Sequence, residues 1–229
     1  MMATQPPATP GREGIQANVD RLSRLYAAVV ADCCDEAGYR QQILAHTVRP
    51  LKPEMRVVGV AYTMLCVEVY SIPEVPYVNE LRAVDALQPL DVMVGTTNGA
   101  TSFALWGELL ATRARHGGAV GAVIDGFARD AQRLMAMDFP TFCTGLHLGD
   151  TKGRGEVIAS GVPIRCAGVL VNPGDYVIGD IDGVCVVPQE AIGRVLDLAE
   201  AKVAGEDRVR SELEAGRAVL DVYNEFGVI

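Results

Sequence analysis

Short apolar runs alternate with helical patterns through the middle of the 229-residue chain, and this alternation restricts the possible folds most strongly. Residues 92–94 and 119–124 are typical of buried strands, and residues 103–115 between them have the pattern of a helix. A strand, a helix and a second strand in this order predict a right-handed βαβ unit with parallel strands. The pattern continues with a helix near residues 130–137 and a strand at residues 141–143.

The flanking segments add further helices and strands. Apolar positions recur at helical spacing over residues 19–37 and 78–87, and the β-branched run 56–69 predicts one or two strands. After Gly153 the chain changes to short β segments separated by turns, and residues 189–215 predict one or two charged helices. The predicted fold class is therefore α/β, with a partly antiparallel mixed sheet and helices on one side.

One domain is expected to include most of the chain. Hydrophobic residues make up 49% and charged residues 21% of the sequence, an ordinary balance for a globular protein, and no repeat divides it. We expect residues 1–16, rich in Pro, Thr and Gly, to form a disordered tail. Residues 17–229 are expected to form a single domain with a C-terminal helical extension from about residue 189.

Charge and apolar patterning exclude several classes of partner. The formal net charge of −9 disfavours phosphate binding, which needs clustered Lys and Arg, so we expect no nucleic-acid partner. No apolar stretch reaches the roughly 18 residues of a membrane span, and residues 1–11 lack the apolar core of a signal peptide. The six cysteines form no C-x-x-C pair, which favours free thiols in a reducing compartment. We therefore expect a cytoplasmic protein with no membrane association.

Several common catalytic motifs are absent from the sequence. There is no G-x-S-x-G, no P-loop and no G-x-G-x-x-G, and the three histidines lack metal-ligand spacing. No lysine lies in the pattern of a Schiff-base aldolase. Serine nucleophiles, nucleotide binding and enamine chemistry are therefore unsupported.

Arg129 and Asp130 follow an apolar strand and a turn at Gly126, just before a predicted helix. One interpretation is a surface ion pair in which Asp130 stabilises the positive end of the helix. The other is a functional site, because open α/β sheets bind ligands beyond the carboxyl ends of their strands. An Asp there can hold a hard divalent cation, and an Arg can bind a carboxylate through two hydrogen bonds.

Two further segments contain candidate residues. Glu108, within Trp-Gly-Glu-Leu-Leu at 106–110, is either a solvated helix residue or a carboxylate close to Asp130. Backbone N–H groups around Gly107 and Leu109 could bind an anion if a helix begins there. The acidic segments 172–175 and 180–183 are interpreted as β-turns.

Five blocks of this sequence together resemble the RraA-like family, which includes class II 4-hydroxy-4-methyl-2-oxoglutarate and 4-carboxy-4-hydroxy-2-oxoadipate aldolases and regulators of ribonuclease activity. The blocks are Trp-Gly-Glu-Leu-Leu at 106–110, Gly-Ala-Val-Ile-Asp-Gly-Phe-Ala-Arg-Asp at 121–130, Phe-Pro-Thr-Phe at 139–142, Val-Asn-Pro-Gly-Asp-Tyr-Val at 171–177 and Asp-Ile-Asp-Gly-Val-Cys-Val-Val-Pro at 180–188. The resemblance extends from about residue 20 to the C-terminus. It implies a β/β/α fold of swivelling-domain topology, assembled as a homotrimer or homohexamer with active sites between subunits.

The resemblance also implies a role for each matching residue. Asp130 would bind Mg²⁺ or Mn²⁺, and Arg129 would bind the pyruvoyl group and neutralise enolate charge. Glu108 would hold a water, and backbone amides of Gly107, Leu109 and Leu110 would bind the substrate carboxylate. A second acid would come from the C-terminal helix of a neighbouring subunit, with Glu206 as the best match and Asp207 as its rival.

These roles imply a divalent-metal-dependent aldolase that cleaves a 4-hydroxy-2-oxo dicarboxylic or tricarboxylic acid to pyruvate and a second 2-oxo acid. Decarboxylation of oxaloacetate passes through the same enolate and is an expected side activity. The alternative is a non-catalytic RraA-type regulator that binds a ribonuclease. The acidic C-terminal helix favours the aldolase, because the shorter regulators lack it. A methyltransferase activity has no support, because no glycine-rich cofactor loop follows the first strand.

Overall fold

The computed structural model describes residues 12–227 of the chain. The helices in this part are α1 (Arg12–Leu22), α2 (Ala27–Glu36), α3 (Val78–Asp85), α4 (Glu108–His116), α5 (Ala131–Ala136), α6 (Ile192–Glu214) and α7 (Val219–Phe226). The strands are β1 (Arg49–Pro50), β2 (Val57–Glu68), β3 (Asp91–Thr96), β4 (Ala104–Trp106), β5 (Gly121–Ala128), β6 (Thr141–Leu146), β7 (Gly155–Ser160), β8 (Ile164–Cys166), β9 (Val169–Val171), β10 (Tyr176–Asp180) and β11 (Gly183–Val187).

A mixed sheet contains most of these strands. Its order is β1-β6-β5-β3-β2-β10-β11, with β4 paired to β5 and β7 paired to β2, while β8 and β9 form a separate hairpin. Strands β2, β3, β5 and β6 run parallel, whereas β7, β10 and β11 pair in antiparallel fashion. The predicted parallel pairing of the strands that flank α4 is confirmed. The short β segments predicted after Gly153 are confirmed as well.

The two faces of the sheet have different coverings, as β2 shows. Its Val58 and Val60 contact the cluster formed by α1, α2 and α6, while α3, α4 and α5 cover another part of the same face around Met64. Val57 and Ala61 point to the opposite face, which packs on the β8–β9 hairpin. The prediction of helices on one side of a mixed sheet is confirmed.

The sheet is nearly closed by residues 42–51. Within this segment the N–H of Leu44 donates to the carbonyl oxygen of Val184, and the N–H of Val186 donates to that of Gln42. The segment then continues into β1, which pairs with β6. It therefore joins the two ends of the sheet and encloses the face that packs on the β8–β9 hairpin. Each large apolar side chain buried on that face stabilises the fold by about 1.5–3 kcal/mol.

The helix predicted over residues 103–115 is wrong at its start. Residues 104–106 form β4, and the helix begins at Glu108. Phe103, Leu105 and Trp106 are all fully buried, which suits a strand covered on both faces and hides the alternation that identifies a half-buried strand. This change matters for function, because it places the first turn of α4 beside the end of β5.

The N-terminal predictions also need correction. The helix predicted over residues 19–37 is two helices, because Tyr26 adopts an extended conformation between α1 and α2. Leu22 and Leu25 stay buried on either side of the break, so the apolar spacing continues through it. Helix α1 begins at Arg12, within the segment predicted as a tail, and residues 1–11 lie outside the described residues.

The C-terminal extension is helical as predicted, with α6 followed by α7. The acidic segments 172–175 and 180–183 are turns: Asp175 accepts hydrogen bonds from the N–H groups of Asn172 and Gln189, and Asp180 accepts one from Ala27. Among residues 12–227, no helix combines the length and the apolar character needed to cross a bilayer.

Candidate active site

The end of β5 places Arg129 and Asp130 beside the start of α4. The N–H of Arg129 donates to the carbonyl oxygen of Trp106 at 2.9 Å, which joins the end of β5 to the end of β4. Asp130 then adopts the left-handed conformation, with φ 58° and ψ 32°, a region that Asp tolerates better than most residues. Its Oδ2 lies 3.4 Å from the backbone N of Glu108. The Asp130 carboxylate therefore lies at the N-terminus of α4.

Gly107 makes this close approach possible. A Cβ atom at this position would lie 3.0 Å from Oδ2 of Asp130 and 3.3 Å from Cγ of Arg129. The glycine is required for space only, because its φ of −158° is extended backbone that any residue adopts. Gly107 is the N-cap of α4, so the condition for an anion site at this position is met: the N–H groups of Leu109 and Leu110 belong to the first helical turn.

Arg129 lies between two carboxylates. Its Nη1 is 3.2 Å from Oδ1 of Asp150, and its Nε is 3.9 Å from Oδ2 of Asp130. The side chains of Arg129, Asp130 and Asp150 are 37%, 44% and 31% exposed. Water therefore screens these ion pairs, which contribute little to stability, and an anion can reach the guanidinium group.

Asp150 and Tyr77 complete the surroundings of Arg129, and no motif in the sequence indicates either residue. The Tyr77 hydroxyl donates to Oδ2 of Asp150, and the N–H of Thr151 donates to Oδ1 at 2.9 Å. Asp150 follows β6, the neighbour of β5, so the strand-end argument applied to Arg129 could have found it. Tyr77 precedes α3 and gave no such signal.

Glu80 is a buried carboxylic acid beside this group, and its residue is only 7% exposed. One of its oxygens, Oε2, accepts a hydrogen bond from the Thr151 hydroxyl at 3.1 Å. The pKa of Glu80 is raised to about 7: burial is the main cause and the charge of Asp150 adds to it, while the Thr151 hydrogen bond and the charge of Arg129 oppose the shift.

Glu108 reaches the site through its backbone. Its side chain accepts a hydrogen bond from the hydroxyl of Thr112 at 3.0 Å and lies 3.9 Å from Nη1 of Arg133. The Glu108 side chain is 22% exposed and belongs to the first turn of α4, where its negative charge interacts favourably with the helix dipole. Both the structural and the catalytic interpretations of Glu108 remain compatible with this position.

Glu206 and Asp207 lie on α6, away from this site within one chain. Glu206 accepts a hydrogen bond from the Tyr26 hydroxyl, whose pKa rises to about 12 through burial and this bond. Asp207 pairs with Arg210 at 2.5 Å. Neither acid lines the cavities beside Arg129 that the described residues form. Their contribution from a neighbouring subunit stays a prediction.

Two cavities meet at Arg129 and Asp130. One, of about 290 Å³, lies toward α3 and α4, and its lining includes Tyr77, Glu80, Leu109 and Asp150. The other, of about 650 Å³, lies beside α5, and its lining includes Arg133, His147 and Leu148. Arg129 and Asp130 line both, so a bound molecule can contact the pair and extend to either side.

Asp130 is the best-placed donor for a divalent cation. Mg²⁺ usually binds through one or two carboxylates and keeps several waters, and the Asp130 side chain is accessible at 44% exposure. No group of three or more His, Cys, Asp or Glu side chains among residues 12–227 could enclose a metal ion. A single exposed carboxylate fits Mg²⁺ or Mn²⁺ completed by water and substrate, and it does not fit a zinc site with three or four protein ligands.

Comparison with known proteins identifies the family. The RraA-like model, described as Aldolase/RraA, matches residues 27–186, which include α4, β5 and Asp150. The chain belongs to the RraA-like family. A relative from Halalkalibacterium halodurans, named "Putative 4-hydroxy-4-methyl-2-oxoglutarate aldolase", is 33% identical over 84% of this chain and 88% of its own length. Protein DlpA of Legionella pneumophila is 27% identical over 91% of this chain, which spans 33% of that protein.

A solved structure supports the fold of this RraA-like protein. Streptomyces coelicolor RraAS2, described as an unusual member of the RNase ES inhibitor RraA protein family, has a TM-score of 0.78 and 28% identity, over 90% of this chain and 99% of its own. RraAS2 matches 90% of this chain, whereas the residues before Ile192, where α6 begins, make up a smaller share of it. Part of the C-terminal helical extension therefore has a counterpart in RraAS2. The extension is therefore shared, at least in part, with a member of that family.

Proposed function

We propose that this RraA-like protein is a divalent-metal-dependent aldolase that cleaves 4-hydroxy-2-oxo dicarboxylic or tricarboxylic acids to pyruvate and a second 2-oxo acid. The arrangement of Arg129 and Asp130 carries the proposal. An accessible cation and an accessible carboxylate meet at the N-terminus of α4, across a glycine that leaves no room for a side chain. The aldolase name of the H. halodurans relative supports the same activity.

Arg129 and α4 supply complementary groups for the pyruvoyl part of such a substrate. The guanidinium of Arg129 can donate two hydrogen bonds to an oxyanion and remains charged at any physiological pH. The N–H groups of Gly107, Leu109 and Leu110 are close to the N-terminus of α4, which favours a carboxylate. We assign substrate binding to these four residues.

Asp130 would hold the divalent cation, Mg²⁺ or Mn²⁺. When bound, the cation supplies Lewis-acid stabilisation of the negative charge that develops on the 2-oxo group as the C3–C4 bond breaks. Arg129 neutralises part of the same charge from the protein side.

Glu108 and Glu206 are assigned to proton transfer. Cleavage of the C3–C4 bond requires removal of the C4 hydroxyl proton, and the pyruvate enolate then needs a proton at C3. A water held by the Glu108 carboxylate, with Glu206 contributed by a neighbouring subunit, can accept the first proton and return the second. This assignment requires a homotrimer or homohexamer in which α6 of one subunit approaches α4 of the next.

Pyruvate release tests the proposal. We expect release from 4-hydroxy-4-methyl-2-oxoglutarate or 4-carboxy-4-hydroxy-2-oxoadipate in the presence of Mg²⁺, slower release from oxaloacetate, and loss of each on addition of EDTA. Pyruvate is measured by coupling its release to lactate dehydrogenase. Comparison of the two 4-hydroxy-2-oxo acids also identifies the preferred 4-substituent. Absence of metal-dependent turnover on all three would refute the aldolase assignment.

The similarity to RraAS2 favours a second candidate, a regulator that binds a ribonuclease. The discriminating experiment adds the protein to a cleavage assay of an RNase E-type enzyme. Inhibition by both the native protein and an Asp130→Asn variant, without aldolase turnover, would support the regulator in place of the enzyme.

A further inference from the structure

A chain of polar contacts connects Arg129 to the buried Glu80. Nη1 of Arg129 lies 3.2 Å from Oδ1 of Asp150, which also accepts the N–H of Thr151 at 2.9 Å. The other oxygen of Asp150 accepts the Tyr77 hydroxyl. The hydroxyl of Thr151 donates to Glu80 at 3.1 Å. Each oxygen of Asp150 therefore has a donor from the protein, which fixes the plane of its carboxylate.

We propose that Asp150 is a positioning residue that orients Arg129, that Tyr77 holds Asp150 in place, and that Glu80 must be uncharged for Arg129 to bind an anionic substrate well. This inference rests on the proposed function, because it assumes that Arg129 binds the substrate. It adds three residues to which the family resemblance assigned no role.

Asp150 restricts a side chain that would otherwise be mobile. An arginine loses considerable rotamer entropy when it is ordered, and the contact with Asp130 at 3.9 Å is too long to fix the guanidinium plane. The shorter contact of 3.2 Å with Asp150 restricts the guanidinium group before substrate arrives. Preorganised donors of this kind act most strongly on the charge that develops in a transition state.

Tyr77 shows independent signs of a functional constraint. It adopts φ 68° and ψ −8° at the N-cap of α3, a left-handed conformation that is uncommon for a bulky residue. Such conformations persist where the surrounding structure requires them and are concentrated at functional sites. In Tyr77 the conformation accompanies the contact of its hydroxyl with Asp150.

Glu80 adds a pH dependence to this arrangement. Burial raises the pKa of Glu80 to about 7, so its carboxyl group is neutral below that pH and becomes a second negative charge near Asp150 above it. That charge weakens the positive potential that Arg129 presents to an anion. Substrate binding should therefore weaken as pH rises through about 7. The titratable groups that face Glu80 from neighbouring elements are Asp150, Arg129, Tyr77 and Cys66. Glu156 lines a small cavity together with Glu80.

Two variants test the positioning role: Asp150→Asn and Tyr77→Phe. We expect roughly tenfold lower kcat/KM for Asp150→Asn, because it removes the negative charge that pairs with Arg129. We expect a smaller loss for Tyr77→Phe, because it removes the hydroxyl that donates to Asp150. The matched control is Asp138→Asn, which changes a carboxylate that is 82% exposed.

NMR provides a readout that activity alone cannot give. The Nε–H signal of Arg129, assigned by its absence in Arg129→Lys, should exchange faster with water in Asp150→Asn and in Tyr77→Phe.

An unchanged Arg129 signal together with unchanged kcat/KM in both variants would overturn the positioning role. If Asp150→Asn does not fold, Tyr77→Phe keeps the ring and its packing and decides the question alone.

The variant Glu80→Gln tests the pH dependence. Glutamine can still accept the hydrogen bond from Thr151 and stays neutral at every pH. We expect kcat/KM of the native enzyme to decline between about pH 6 and about pH 8, around the pKa of about 7, and that decline to be absent in Glu80→Gln. Glu74→Gln, at an exposed position, should keep the native profile. The same decline in Glu80→Gln would overturn this part of the inference.

Failure of the inference can be distinguished from failure of the proposed function. A carbon-13 titration of labelled glutamate carboxyls, assigned with Glu80→Gln, measures the Glu80 midpoint without any turnover; about 7 supports the inference, and a value near 4.5 overturns it. A native protein that turns over no substrate refutes the function, while the two NMR measurements still test the contacts. An active enzyme whose Asp150, Tyr77 and Glu80 variants behave like the native protein refutes the inference alone.

Discussion

Replacing Gly107 with alanine places a methyl group against the two residues on which the proposed chemistry depends. The new Cβ would lie 3.0 Å from Oδ2 of Asp130 and 3.3 Å from Cγ of Arg129, whereas non-bonded contacts are most favourable at about 3.5–4.0 Å. One or both side chains must therefore move by about half an ångström. Because a misplacement of about 1 Å can lower a rate by about 100-fold, we expect Gly107→Ala to lower kcat/KM by about tenfold.

The fold should tolerate this substitution. The backbone at Gly107 is extended, with φ −158° and ψ 178°, so alanine introduces no conformational strain. Alanine also lowers the entropy of the unfolded chain, which stabilises by about 0.4–1 kcal/mol and offsets the poorer N-cap. We therefore expect the free energy of unfolding, measured by urea denaturation, to change by less than about 1 kcal/mol.

Gly193→Ala is the matched control, because a Cβ at Gly193 meets no atom within 4 Å. It should leave kcat/KM unchanged and slightly stabilise α6. If Gly107→Ala kept full activity, the close approach of α4 to Asp130 would have no catalytic role. If it unfolded the protein, the space at this position would be structural instead.

Three further predictions address the remaining acidic residues. Glu108→Gln should lower kcat about 100-fold with little change in KM, because the N–H groups of α4 that bind substrate are retained. Steady-state kinetics measure both constants, and an unchanged kcat would mean that Glu108 has only a structural role. The free energy of unfolding should fall by roughly 3 kcal/mol as pH rises from 4.5 to above 7, because native Glu80 keeps a proton that the unfolded chain releases. Urea denaturation at pH 5 and at pH 8 should show that Glu80→Gln removes this part of the pH dependence, and the same slope in the variant would contradict the assignment. Inactive Asp130→Asn and Glu206→Gln subunits, mixed in equal amounts while unfolded and then refolded, should recover roughly a quarter of the native activity if each site uses Glu206 of a neighbour. About a quarter of the sites would then combine an intact Asp130 with an intact Glu206, and no recovery would contradict a shared site.

Local sequence patterns were sufficient to predict the alternating elements of the fold. The apolar run at residues 119–124 located Arg129 and Asp130, because an apolar strand followed by charged residues is readable in a short window. The turn predicted at Gly126 is wrong, since β5 continues to Ala128 with only an irregularity between Ile124 and Phe127. The strands after Gly153 were equally clear, since turn residues separate them. The position of α4 could be only partly predicted, because uniform burial of residues 104–106 gives no alternation.

The contacts that complete the site could not be predicted in the same way. Tyr77 and Asp150 meet across 73 positions of sequence, where the loop between β6 and β7 passes the start of α3. The need for glycine at 107 is likewise a distance between elements and leaves no trace in the local pattern. The break at Tyr26 was hidden because Leu22 and Leu25 stay buried through it. The subunit that would supply Glu206 lies outside any single chain.

A Mg²⁺ titration of pyruvate release tests most directly whether Asp130 and Arg129 form a metal-dependent aldolase site. The comparison is between the native protein and Asp130→Asn, because asparagine keeps the side-chain shape and tolerates the left-handed conformation of φ 58°. We predict Mg²⁺-saturable release of pyruvate by the native protein, and a rate at least 100-fold lower for a folded Asp130→Asn variant at every Mg²⁺ concentration. Native-like, Mg²⁺-saturable turnover by Asp130→Asn would contradict the account.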